Sequence, residues 1–122
     1  MPQIGGTPTS PAVGFLTGHP GGEANVSAWA RFSDRRIADP LSLLLFADSV
    51  PPAVFEVLPE RAWVPTIELT VQVRQVPVPG WLRMRMATRF LLNGYFDEDG
   101  EIWDSAGNLV AISRQFAMTF RP

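Results

Sequence analysis

The sequence predicts an α+β fold in which an antiparallel sheet packs around one central helix. A single amphipathic helical segment follows the first strand, and every later apolar pattern has the two-residue period of a β-strand. No second helix is available for the crossover connections that parallel strands require. A lone helix of this kind buries its apolar side against the sheet or is wrapped by it.

The domain organisation follows from length and local composition. A chain of 122 residues is long enough for one apolar core and too short for two. Residues 1–22 are rich in Gly, Pro, Thr and Ser and have no hydrophobic period, so we predict a flexible tail or linker there. Residues 23–122 are predicted to form the single domain.

The first predicted elements are a strand and the helix. Apolar side chains occupy alternate positions over residues 24–32. Asp39 is a suitable N-cap, and Pro40 at the first helical position loses no hydrogen bond. One face of the helix carries three leucines and an aspartate, namely Leu41, Leu44, Leu45 and Asp48. A proline pair at residues 51–52 then interrupts the helix, and a further turn is expected over residues 53–58.

The rest of the chain is predicted to be β-structure. Residues 66–74 alternate strictly, with Thr66 on the polar side and an apolar side formed by Ile67, Leu69, Val71 and Val73. Residues 82–90 also alternate, and their polar side carries an arginine ladder, Arg83, Arg85 and Arg89. We predict an acidic turn over residues 96–100 and a hairpin turn over residues 105–108.

Composition excludes several classes of function. Ten basic against twelve acidic residues give a net charge of -2, which disfavours nucleic acid and anionic membranes as partners. The chain has no Cys, its basic residues are all Arg, and its single His19 lies in the predicted tail, so we expect no metal and no cofactor. The longest apolar run, residues 43–47, is too short to span a membrane, and residues 1–20 lack the features of a signal peptide. A soluble cytoplasmic protein is therefore expected.

Three polar residues have neighbours that suggest a site. Asp48 shares a helix face with leucines, so it is either held by hydrogen bonds, acts as a base or reaches solvent at the helix end. Thr66 begins a strand directly after Pro65, and Gln115 shares a strand face with small residues. The alternative for Thr66 and Gln115 is a polar residue that faces solvent. The arginine ladder suits phosphate groups, and its alternative is a solvated sheet face.

The chain also resembles a known family over several separated blocks. These are WARFSDRRIADPLSLLLFADSVPPAVFE, WVPTIELTVQVR and PVPGWLRMRMATRFLLNGYFDEDGEIWDSAGNLVAISRQ, and together they extend over about three quarters of the chain. They resemble the C-terminal half of the acyl-CoA thioesterase II (TesB-like) family, whose members are double hotdogs. The resemblance implies a hotdog fold, in which an antiparallel sheet wraps around one central helix.

The resemblance implies an active site as well. The family's site comprises an Asp at the end of the hotdog helix, a Thr or Ser at the start of the next strand and a Gln on the final strand. These correspond to Asp48, Thr66 and Gln115. The implied activity is hydrolysis of an acyl-CoA by a water that Asp48 deprotonates and that Thr66 and Gln115 hold, without metal or cofactor. The arginine ladder is then available to the nucleotide phosphates.

The family's architecture bears on partners and on alternative functions. Because members usually carry two hotdogs, this chain is expected to associate with a second one, as a homodimer or with a missing N-terminal half. The alternative function is a non-catalytic hotdog that binds acyl groups or completes a dimer. A hydratase or dehydratase is a weaker alternative, because hotdog enzymes of that type generally use a His and the only one here is His19.

Overall fold

The computed structural model describes residues 2–5, 25–48 and 64–119, which form one antiparallel sheet and one short helix. The elements are β1 Pro2–Gly5, β2 Asn25–Phe32, α1 Ser42–Ala47, β3 Thr66–Val73, β4 Leu82–Ala87, β5 Leu91–Leu92, β6 Tyr95–Trp103 and β7 Leu109–Met118. Neighbouring strands follow the order β1-β2-β4-β6-β7-β3, and β5 pairs with the start of β6. All pairings are antiparallel, which confirms the predicted α+β architecture.

The sheet has an inner face that carries the apolar core and an outer face that is more polar. Every second residue of β2 and of β4 is buried, and this alternation assigns the two faces. The buried residues of these two strands are Val26, Ala28, Ala30, Phe32, Leu82, Met84 and Met86. Ile102 on β6 and Ala111 on β7 pair with each other and continue the same core layer.

Helix α1 packs on the inner face through Leu43, Phe46 and Ala47. The ring of Phe46 contacts that of Phe32 edge to face, with 4.9 Å between the centroids and 60° between the planes. The opposite side of the helix carries exposed leucines, Leu41 at 78%, Leu44 at 45% and Leu45 at 45%. The predicted face of leucines and Asp48 therefore exists, but in the single chain it points away from the core.

Helix α1 begins at Ser42 rather than at Pro40. The Ser42 backbone N–H donates to Asp39 Oδ1 at 2.8 Å, and Ser42 Oγ accepts the Asp39 N–H at 2.8 Å. This reciprocal arrangement resembles a capping box, but it closes the turn that contains Pro40. The N-cap of α1 is Leu41, so the predicted N-cap at Asp39 is wrong by two residues. The proline pair at residues 51–52 and the turn expected over residues 53–58 lie outside the described residues.

The acidic turn predicted over residues 96–100 is wrong, because these residues lie in the middle of β6. The chain turns instead at Asn93 and Gly94, whose φ angles of 56° and 80° are left-handed. Asn-Gly is the pair that a two-residue hairpin with two left-handed positions favours. As a consequence, the acidic side chains of the run alternate between the two faces of the sheet.

Two predicted boundaries also differ from the structure. Residues 2–5 fall in the predicted tail, yet they form β1 and pair with β2. Such a strand at the edge needs no hydrophobic period and accepts Pro at its start, because one row of its N–H groups is left unpaired. The strand predicted over residues 82–90 ends at Ala87. His19 lies outside the described residues.

The hairpin turn predicted over residues 105–108 is confirmed, and Asp104 holds it in place. Asp104 Oδ1 accepts the N–H groups of Ala106 and Asn108 at 3.0 and 2.9 Å. Its Oδ2 accepts the Val78 N–H at 3.2 Å and the Asn108 side-chain amide at 3.0 Å. Burial alone would raise the pKa of Asp104, but these hydrogen bonds outweigh it and lower the pKa. One carboxylate thus ties the segment before β4 to the β6–β7 hairpin.

Candidate active site

The structure brings together two of the three predicted catalytic residues. Thr66 is the first residue of β3, and Gln115 lies on β7, the strand that pairs with β3. Gln115 Nε2 donates a hydrogen bond to Thr66 Oγ1. Thr66 is exposed and Gln115 is half-buried, so these two side chains, here called the polar pair, lie at an open part of the inner face.

A β-bulge in β3 places Thr66 on the inner face. Leu69 pairs with Gln115, whereas Thr66 pairs with Ala117. Three residue steps along β3 therefore match two along β7, and Ile67 is the extra residue. Simple alternation puts Thr66 on the polar face, opposite to Leu69. The bulge reverses that assignment and leaves Ile67 51% exposed.

Glu98 is a further polar residue on the inner face, and it is not among the site residues predicted from the sequence. It pairs with Gln115 across the β6–β7 ladder and is 5% exposed. Gln115 therefore has β3 and Thr66 on one flank and Glu98 on the other. The available signal was the alternation of Phe96, Gly100 and Ile102 with polar residues, which puts Glu98 at an inward position once this segment is recognised as a strand.

Asp48 lies at the end of the helix, as predicted. It is the C-cap residue of α1, its backbone N–H donates to the Leu45 carbonyl at 3.2 Å, and its side chain is exposed. Among the described residues, its carboxylate makes no hydrogen bond with Thr66 or Gln115. Helix α1 contacts β3, so the helix and the polar pair lie on the same side of the sheet.

The arginine ladder does not lie beside the polar pair. Arg83 and Arg85 occupy exposed outward positions on β4. The Arg83 guanidinium stands 5.7 Å from the centroid of the Trp103 ring, and both arginines line an outer-face groove of about 600 Å³. Arg89 follows β4, and its guanidinium lies 5.3 Å from the centroid of the Phe90 ring. Arg83 and Arg85 therefore lie on the outer face of the sheet, whereas the polar pair lies on the inner face.

The chemistry available at this site is that of hydroxyl, amide and carboxyl groups. In residues 2–5, 25–48 and 64–119, no group of three or more His, Cys, Asp or Glu side chains could hold a metal ion. No helix within those ranges has the length and apolar character needed to cross a membrane. A hydroxyl and an amide can orient a water molecule, and a carboxylate can take a proton from it.

Comparison with known proteins places the chain in a family. Residues 6–119 match the acyl-CoA thioesterase C-terminal domain family. Uncharacterized proteins of Mycobacterium tuberculosis and Mycobacterium bovis are 37% identical to it over 94 residues, which are 76% of this chain and 31% of each relative. The chain thus spans about a third of the length of the curated relatives it matches.

Solved structures agree on the fold. A candidate thioesterase II of Thermobifida fusca is 37% identical, with a TM-score of 0.74 over 81% of this chain and 38% of that chain. A hot dog fold protein of unknown function from Alicyclobacillus acidocaldarius is 24% identical, with a TM-score of 0.75 over 83% of this chain and 40% of that chain. The sheet wrapped on one helix is therefore a hotdog, and the chain belongs to the acyl-CoA thioesterase C-terminal domain family.

Proposed function

We propose that this domain hydrolyses an acyl-CoA thioester to a free acid and CoA. The observation that carries the proposal is the hydrogen bond between Gln115 and Thr66. These residues match the types and positions of the thioesterase II site, and a bulge in β3 is needed to bring them to one face. The family match over residues 6–119 supports the same class of reaction.

In this proposal Asp48 is the general base. Its carboxylate takes a proton from a water molecule, whose oxygen attacks the carbonyl carbon of the thioester. The polar pair holds that water in line with the carbon. The carbon–sulfur bond then breaks, and the proton passes from Asp48 to the departing CoA thiolate. No covalent acyl-enzyme forms, and a backbone N–H or the Gln115 amide stabilises the oxyanion.

A second hotdog is proposed to complete the site, either another copy of this chain or the N-terminal half of a longer protein. Two exposed surfaces favour association. One is formed by the leucines of α1, and the other by Ile67 on β3, which is the last strand in the sheet order. Asp48 stands on the same exposed helix face, so association there surrounds it with protein. The acyl chain would lie between α1 and the second hotdog. The arginine ladder is proposed to contact the phosphates of CoA, which requires the CoA to extend over the outer face.

The rival proposal is a non-catalytic hotdog that binds acyl groups or completes a dimer. One observation favours it, namely that Asp48 is exposed and makes no hydrogen bond with the polar pair within the described chain. This rival predicts saturable binding of acyl-CoA without release of CoA.

Thiol release from a panel of short to long acyl-CoAs distinguishes the two proposals when equilibrium binding is measured in parallel. Catalysis through the polar pair is supported if the wild type hydrolyses acyl-CoA and Thr66→Val lowers kcat about tenfold or more. Val keeps the branched shape and loses the hydroxyl, so the strand is expected to be preserved. Binding without hydrolysis supports the rival, and hydrolysis that is unchanged in Thr66→Val removes the polar pair from the mechanism.

A further inference from the structure

A groove crosses strands β2, β4 and β6 on the outer face of the sheet. Its volume is about 600 Å³, which is within the range of small-molecule sites. The side chains that line it include two tryptophans, two arginines and one glutamate, namely Trp29, Trp103, Arg83, Arg85 and Glu101. Tryptophan and arginine are enriched at protein interfaces, so a concave surface of this composition is a candidate binding site.

Trp29, Arg83 and Trp103 form a continuous row across the groove. Arg83 pairs with Trp29 on one neighbouring strand and with Trp103 on the other. Side chains paired in this way on one sheet face have Cβ atoms about 4.5–5.5 Å apart. The Arg83 guanidinium lies 5.7 Å from the centroid of the Trp103 ring, which is within cation–π distance. Both tryptophans are half-buried, so part of each side chain is open to a ligand.

The two arginines give the groove a positive charge. Arg85 lies two residues after Arg83 on the same face, and its Nε donates a hydrogen bond to Asn25 Oδ1 at 3.5 Å. Glu101 is the cross-strand partner of Arg85, yet neither arginine forms a salt bridge with a carboxylate of the described ranges. Guanidinium groups bind phosphate oxygens through paired hydrogen bonds, so phosphate is the anion that suits this groove.

We propose that the groove binds a nucleotide. Arg83 and Arg85 contact its phosphates, and its base stacks on Trp29 and Trp103. Stacking on an aromatic ring is open to every base, because each base has a π-face. Glu101 accepts a hydrogen bond from an amino group of the base. The combination of rings and guanidinium groups in one groove carries the proposal, since a site for inorganic phosphate needs no tryptophan.

The nucleotide has two sources, the adenine nucleotide at the end of CoA and a free nucleotide. The first rests on the proposed function, and the position of the groove favours it. Asn25 lines the groove and is the first residue of β2. Its row in the sheet continues through Ala87 and Asp99 to Arg114, the residue before Gln115. The groove therefore reaches the end of the sheet at which the polar pair lies, and a CoA that joins the two sites passes over that end.

Isothermal titration calorimetry with 3′-phospho-ADP, the nucleotide end of CoA, and with ATP tests the groove. We expect Arg83→Gln and Trp103→Leu each to weaken the binding of the nucleotide about tenfold, through loss of a phosphate contact and of a stacking ring. Arg74→Gln makes the same substitution at an exposed arginine directly after β3, outside the groove, and should keep the wild-type Kd. Melting temperatures establish that the variants are folded, and Arg83→Gln, at an exposed position, tests the groove without Trp103→Leu.

Three results overturn the proposal. The first is a wild type that binds neither 3′-phospho-ADP nor ATP. The second is an equal Kd in the wild type, Arg83→Gln and Trp103→Leu, which places the nucleotide outside the groove. The third is inorganic pyrophosphate that binds as tightly as the nucleotide, because the rings then contribute nothing and the site is one for phosphate alone.

Kinetics with two substrates that carry the same acyl chain identify the source. If the nucleotide is that of CoA, Arg83→Gln raises KM for acyl-CoA about tenfold at unchanged kcat, and it leaves KM for acyl-pantetheine, which lacks the nucleotide, unchanged. Weaker ATP binding in Arg83→Gln at unchanged KM for acyl-CoA assigns the groove to a free nucleotide. Calorimetry does not depend on turnover, so a wild type that releases no thiol but binds the nucleotide refutes the hydrolytic proposal and supports the groove.

Discussion

Asp104 illustrates how one residue can couple two parts of the chain. Its carboxylate holds both the β6–β7 hairpin and the segment before β4. Because the pKa of Asp104 is below its ordinary value of 3.8, its contribution to stability is complete above that pH and is lost as the pH falls through the lower folded pKa. Asp104→Ala is expected to lower the urea midpoint near neutral pH and to weaken the acid dependence of stability. Urea unfolding at a series of pH values checks this, and an acid dependence equal to that of the wild type contradicts it.

The identities of the site residues could be predicted from the sequence, but not all of their positions. The identities of Asp48, Thr66 and Gln115 followed from residue type and family resemblance. The inward position of Thr66 could not be predicted, because it depends on a β-bulge, and the alternation of polar and apolar residues cannot reveal an extra residue. Glu98 was hidden because an acidic run ending in Gly has the composition of a turn. Its position beside Gln115 depends on the register between β6 and β7, which the composition of the run does not show.

At the scale of elements, Phe46 is the main anchor between the helix and the sheet. It is fully buried, and its ring contacts that of Phe32. Phe46→Ala is expected to lower the free energy of unfolding by about 3–5 kcal/mol, because it removes a large buried ring from the contact between helix and sheet. Ile37→Ala, an exposed position just before the helix, should stay within about 0.5 kcal/mol of the wild type. Thermal or urea unfolding of both variants measures the difference, and equal stabilities would show that α1 is not docked as described.

Elements with a local signal could be predicted from the sequence. The alternation of β2, β3 and β4, the helix after Asp39 and the hairpin at residues 105–108 are all encoded in neighbouring residues. Strand β1 could not be predicted, because it forms by pairing with β2 and has no hydrophobic pattern of its own. The turn at Asn93 and Gly94 does have a local signal, the Asn-Gly pair, but the acidic run a few residues later also has the composition of a turn.

At the scale of the whole molecule, the exposed leucines of α1 are the surface through which we propose that the chain associates. Leu45→Glu places a charge in the proposed interface, so it is expected to shift the protein to a monomer of 13.5 kDa in sedimentation velocity. Val76→Glu, an exposed apolar position between β3 and β4, is the control and should sediment like the wild type. A wild type that is monomeric at all concentrations would refute association of this chain with itself and leave only a different hotdog as partner.

The most direct test of the central claim is kcat for thiol release in the Asp48→Asn variant, measured with the acyl-CoA that the wild type hydrolyses fastest. Asn keeps the size of the side chain and loses the base, and the exposed position makes a folding defect unexpected. The account predicts a loss of about 10²- to 10⁴-fold at unchanged melting temperature and oligomeric state. Asp34→Asn, the same substitution at an exposed aspartate in the turn after β2, is the control and should keep the wild-type rate. An Asp48→Asn variant that hydrolyses acyl-CoA as fast as the wild type would contradict it.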